Sequence, residues 1–113
     1  MMNLPKHAHP VERQIIQALV SKVLDADQLI TVYDGTETVL KRSNQPQAIL
    51  ESMSHAGEDI LVIYTLDGER VGSVYLVYGN EPEYVICDYS HPAGTSSDYM
   101  DNLIESVTPG EAA

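Results

Sequence analysis

Two turn signals separate three strongly apolar runs in the second half of the chain. Asp67-Gly68 follows DILVIYTL, residues 59–66, and precedes Arg70 to Tyr78. Gly79-Asn80-Glu81-Pro82 then separates that run from Glu83 to Tyr89. Asp-Gly between β-branched runs is a strong hairpin signal, because a type I′ turn needs positive φ at both central residues. Strands joined by so few residues pair antiparallel. Residues 59–89 are therefore predicted as a three-stranded antiparallel meander at the heart of a sheet.

The flanking sequence supplies the remaining elements. His9-Pro10 can start a helix, with proline already set for the first turn. Ile15, Ile16, Leu19, Val20, Val23 and Leu24 recur at helical spacing, and Asp25-Ala26-Asp27 breaks the pattern. QLITVY, residues 28–33, reads as a strand. Asp34-Gly35 turns the chain, and Thr38 to Arg42 returns. Ser43-Asn44-Gln45-Pro46 opens a short helix with Ile49, Leu50 and Met53 on its buried side and Gly57 as its stop. Ser96 or Ser97 caps a last helix striped by Met100, Leu103, Ile104 and Val107. The order is α-β-β-α-β-β-β-α. It predicts an α+β fold, a five-stranded mainly antiparallel sheet with helices packed on one face. One domain is expected over residues 1–113, with flexible ends at 1–9 and 108–113.

Alternation sorts the last two strands. Val74, Leu76 and Tyr78 share one face of the first, and Val71, Ser73, Tyr75 and Val77 the other. In the next, Val85, Cys87 and Tyr89 are expected on one face, and Tyr84, Ile86 and Asp88 on the other. Both faces are half apolar, so the second face is either covered by loops or docks a partner. Seven tyrosines with no phenylalanine or tryptophan favour aromatics near the surface.

Charge is the other strong signal. The net charge is −11. Residues 1–56 carry six acids against five bases, whereas residues 57–113 carry eleven acids against Arg70 alone. Such a chain repels nucleic acid and anionic membrane and attracts basic surfaces. The plain alternative is that the acids only keep the protein soluble. No apolar run reaches the roughly 18–20 residues that span a bilayer. The N-terminus has no signal-peptide core, and the single cysteine, Cys87, suits a reducing compartment. A cytoplasmic location is expected.

Chemistry is sparse. His7-Ala8-His9 and the set Cys87, Asp88 and His91 are the two metal candidates, and neither has a complete ligand set. No nucleophile elbow or phosphate-binding glycine loop is present. Cys87 has only acids as charged neighbours in sequence, which disfavours a thiolate, and it is expected to pack as a small apolar side chain. No enzyme activity, metal or cofactor is expected. In composition the chain resembles the small acidic α+β inhibitors of phages and plasmids, anti-CRISPR proteins among them. It also resembles the immunity proteins that neutralise nucleases.

That resemblance implies a protein that binds a basic, nucleic-acid-binding surface or a nuclease and blocks it. Asp67, Glu69, Glu81, Glu83 and Asp88 are the expected contact acids, with Tyr84 as a packing anchor. Glu12 and Asp25 are expected as surface acids of lesser effect, offset by nearby bases. The alternatives are a homodimeric accessory or ligand-binding domain with merely solubilising acids, and an enzyme built on His91.

Overall fold

The computed structural model describes residues 10–34, 36–53, 58–78, 85–92, 94 and 98–107. Helix α1 spans Pro10–Asp25, strand β1 Gln28–Tyr33 and strand β2 Thr38–Ser43. Helix α2 spans Pro46–Glu51, β3 Glu58–Thr65, β4 Arg70–Val77, β5 Ile86–Ser90 and α3 Asp98–Val107. The five strands form one sheet in the order β2-β1-β3-β4-β5, and every neighbouring pair is antiparallel. The expected fold and the β3-β4-β5 meander are both present. The expected flexible ends, the Ser96 or Ser97 cap and the Gly57 stop lie outside the described residues.

Alternation along β3 and β4 divides the sheet. Leu61 and Ile63 of β3, and Val74 and Leu76 of β4, are buried together with Ile30 and Val32 of β1. The helices bring Ile16, Leu19 and Val23, Ile49 and Leu50, and Met100 and Leu103 into the same cluster. Each fully buried Leu or Ile contributes about 1.5–3 kcal/mol. Three short amphipathic helices thus cover one face.

The turns differ from expectation in detail. At Asp67-Gly68 the amide of Gly68 donates to the Thr65 carbonyl (3.0 Å) and that of Thr65 to the Glu69 carbonyl (2.8 Å). The loop therefore has three residues, Leu66-Asp67-Gly68. Only Gly68 takes positive φ, +93°, which is the type I turn with a glycine bulge and not a type I′ turn. The Thr65 hydroxyl accepts from the Glu69 amide and favours the longer loop. At the β1–β2 turn, Asp34 accepts from the amides of Thr36 and Glu37. These bonds hold its carboxyl below the usual carboxylate range.

β5 departs further. Tyr75 pairs with Asp88, but Leu76 pairs with Ile86, so Cys87 is an extra residue in a bulge. The bulge puts Ile86 opposite Leu76 on the core face and Asp88 opposite Tyr75 on the other. The expected pairing of Ile86 with Asp88 on one face is therefore corrected. Cys87 is exposed and not packed as an apolar side chain.

At Gly72 of β4, α3 and β5 both press close against the backbone. A Cβ there would lie 2.6 Å from Met100 Sδ and 2.6 Å from the Ser90 carbonyl oxygen. The methionine can swing away, but the β5 backbone cannot. Gly72→Ala should cost about 1–3 kcal/mol, read as a lower urea midpoint with an unchanged slope.

Candidate functional site

The described helices all pack on one face of the sheet and leave the opposite face without helix cover. Tyr33 of β1, Ile60, Val62 and Tyr64 of β3, and Tyr75 and Val77 of β4 lie on it, each only half-buried. Its polar groups are organised by local bonds. The Tyr75 hydroxyl donates to Glu58 Oε1 (2.5 Å), and that bond, with burial and the Glu58 charge, raises the Tyr75 phenol above its ordinary value. Ser73 and Ser90 share a hydrogen bond (2.7 Å), and Arg70 donates to Ser73 (3.3 Å).

Arg42 lies 4.7 Å above the Tyr64 ring, within the range of a cation–π contact. It sits in a β2 bulge at φ 42°, a left-handed conformation unusual for a side chain this large. Its amide donates to Thr31 Oγ1 (2.9 Å). An open depression of about 430 Å³ lies at the other end of this face, with Tyr33, Glu58, Tyr75 and Asp88 in its lining.

A second feature lies where β5 meets α3. The Tyr89 hydroxyl donates to Asp101 Oδ1 (2.7 Å). That bond, burial, and the charges of Asp101, Glu105 and Asp88 raise the Tyr89 phenol. Carboxylates from two elements thus converge on one tyrosine, and Tyr89, Asp101, Ile104 and Glu105 frame a shallow concavity there.

A third group is structural. Asp59 of β3 is fully buried, and its Oδ2 accepts from the Tyr78 hydroxyl (2.7 Å). Burial first, then the Asp59 charge and hydrogen bond, then the Glu12 charge push the Tyr78 phenol far above its ordinary value. Glu12, expected on the surface, is only 1% exposed.

The expected contact residues fall in different places. Asp88 is exposed on β5 between the bare face and the α3 acids. Asp67 and Glu69 are exposed on the β3–β4 hairpin, beside Arg70 and within reach of Arg42, whose Nη1 lies 3.5 Å from where a Cβ of Gly68 would stand. Asp88 pairs with Tyr75, five residues along β4 from Arg70, which is about 17 Å at ~3.3 Å per residue. Glu81, Glu83 and Tyr84 lie outside the described residues. Asp101 and Glu105, absent from the sequence-derived set, act on Tyr89 together with Asp88.

Among the described residues no group of three or more His, Cys, Asp and Glu side chains is placed to hold a metal ion. His7 and His9 lie outside them. His91 is half-buried, with Nδ1 3.2 Å from the Pro92 carbonyl oxygen. No helix among the described residues is long and apolar enough to cross a membrane. No family model, curated protein or solved structure matches the chain.

The tyrosines give a test by pH. A phenol whose folded pKa exceeds its unfolded value of about 10 supports the fold below that pH and loses this support as pH rises past it. Tyr78 should ionise last, and only with unfolding. Tyr78→Phe should lower stability by about 1–3 kcal/mol near neutral pH, because it removes a buried bond to a carboxylate. It should also flatten the loss of stability above about pH 10. Denaturant unfolding across pH, with tyrosinate absorbance as the second signal, checks both.

Proposed function

We propose that the chain is a small acidic interaction protein that binds and blocks a basic, nucleic-acid-binding surface of another protein in the cytoplasm. It would act in the manner of phage and plasmid inhibitors such as anti-CRISPR proteins. The observation that carries this reading is the β5–α3 edge, where Tyr89 bonds Asp101 and lies within the field of Asp101, Glu105 and Asp88. Carboxylates there would stand in for phosphates and accept charge-assisted hydrogen bonds from the partner's lysines and arginines. Tyr89 supplies a flat surface with little entropy to lose on docking. Nuclease-immunity proteins would use the same chemistry, and only the partner separates the two.

Capture from a host lysate at low salt, followed by elution with salt, identifies the partner. Titration against it then tests the site. Asp101→Lys with Glu105→Lys should weaken binding by about tenfold or more, mainly through the on-rate. Asp25→Lys with Asp27→Lys should have little effect. These positions are exposed, and reversal of Asp25 or Glu105 should change stability by about 0.5 kcal/mol, whereas reversal of Asp101, which loses the Tyr89 bond, or of Asp27, at φ 60°, should cost about 1 kcal/mol. Affinity that is independent of salt, or equal loss from the two pairs, would overturn the acidic-edge reading.

A further inference from the structure

We propose that Asp88 and Thr31 guard the two edges of the sheet: each takes a backbone amide of an outer strand at a bulge and so closes that edge to strand addition by another chain. The inference does not rest on the function proposed above.

β2 and β5 are the outer strands. An outer strand presents a row of unpaired amides and carbonyls, which is a template for any extended segment, a second copy included. Val39 on β2 is exposed and Ile86 on β5 is half-buried, so neither strand repels an apolar neighbour throughout its length.

At β5 the pairing slips between Asp88 opposite Tyr75 and Ile86 opposite Leu76, and Cys87 is the extra residue. Beside this bulge the Tyr89 amide donates to Asp88 Oδ1 (2.8 Å). A side chain of the strand itself thus takes one of its amides. At β2, Ile30 pairs with Ser43 and Val32 with Leu40, so Lys41 and Arg42 together oppose Thr31. The Arg42 amide donates to Thr31 Oγ1 (2.9 Å), with Arg42 at φ 42°. Here the side chain comes from the inner neighbour, β1, and draws the amide away from the open side.

Strand addition needs amides and carbonyls that repeat every second residue, about 6.6 Å apart. β2 has six residues and β5 five. A bulge in so short a strand splits the row into pieces of different phase. The side-chain bond also removes a donor, so an incoming strand would bury a carbonyl with nothing to answer it, which is costly. The two guards share this geometry and differ in chemistry, since Asp88 is charged and exposed whereas Thr31 is neutral and buried. Partners are then held to side-chain contacts with the faces and helices.

Hydrogen exchange of single amides, read by NMR on the full chain, tests the guard bonds directly. In the wild type the Tyr89 amide should be protected although it lies on an outer strand. Asp88→Ala should lower its protection factor about tenfold. Asp88→Asn keeps an acceptor oxygen without the charge and should keep that protection within about twofold. Thr31→Val keeps the shape and should release the Arg42 amide in the same way, whereas Thr31→Ser should retain it. Sedimentation across concentration is the second readout. Asp88→Ala and Thr31→Val each open one edge and should self-associate more strongly than the wild type. The double variant, with two open edges, should form larger assemblies, because contacts can then continue from copy to copy. A Tyr89 amide that exchanges freely in the wild type overturns the proposal. So do folded Asp88→Ala and Thr31→Val variants that sediment like the wild type at every concentration. An Asp88→Asn variant that self-associates as Asp88→Ala does overturns it as well, since charge and not the amide bond would then guard the edge. Circular dichroism establishes folding, and should Thr31→Val not fold, the Asp88 variants and the wild-type exchange of the Tyr89 and Arg42 amides decide.

Discussion

Strand β3 lies at the centre of the sheet and is apolar on both sides, which sets the main constraint on this molecule. Leu61 and Ile63 point to the helices, and Ile60, Val62 and Tyr64 point away from them. The three helices cover only one of the two faces. The second face is left with side chains that shield one another within the sheet and stay half-exposed. Tyrosine suits such positions, since its ring can be partly buried while its hydroxyl remains hydrogen-bonded. Tyr75 and Glu58 show this pairing directly. The absence of phenylalanine and tryptophan is consistent with a sheet whose aromatics must tolerate water.

Much of this fold is legible in the sequence because its signals are local. Helical spacing marks the α1 and α3 stripes, and period-two alternation with turn residues marks the meander. The order of the sheet is not local. β1 joins β3 across α2 by a pairing that no short motif announces. The bulges at Cys87 and Arg42 are equally hidden, because each depends on the register of a neighbouring strand. Two acids, Glu12 and Asp59, are buried at positions that the apolar period marks. Glu12 stands four residues before Ile16 and seven before Leu19, on the apolar stripe of α1. Asp59 alternates in step with Leu61 and Ile63. Position in the period outweighs residue type when the fold supplies a partner, here the Tyr78 hydroxyl for Asp59.

The charge asymmetry along the chain becomes an asymmetry across the sheet for a topological reason. β2 carries Lys41 and Arg42 and is one edge, whereas β5 carries Asp88 and is the other. α3 adds Asp101 and Glu105 beside β5. Had the strands been ordered as they occur along the chain, β1 and not β2 would be an edge. Lys41 and Arg42 would then lie in the interior of the sheet. The observed order separates the signs as widely as five strands allow. It also sets Asp67 and Glu69 among arginines, where their charge is locally offset, and so removes them from the strongest negative field.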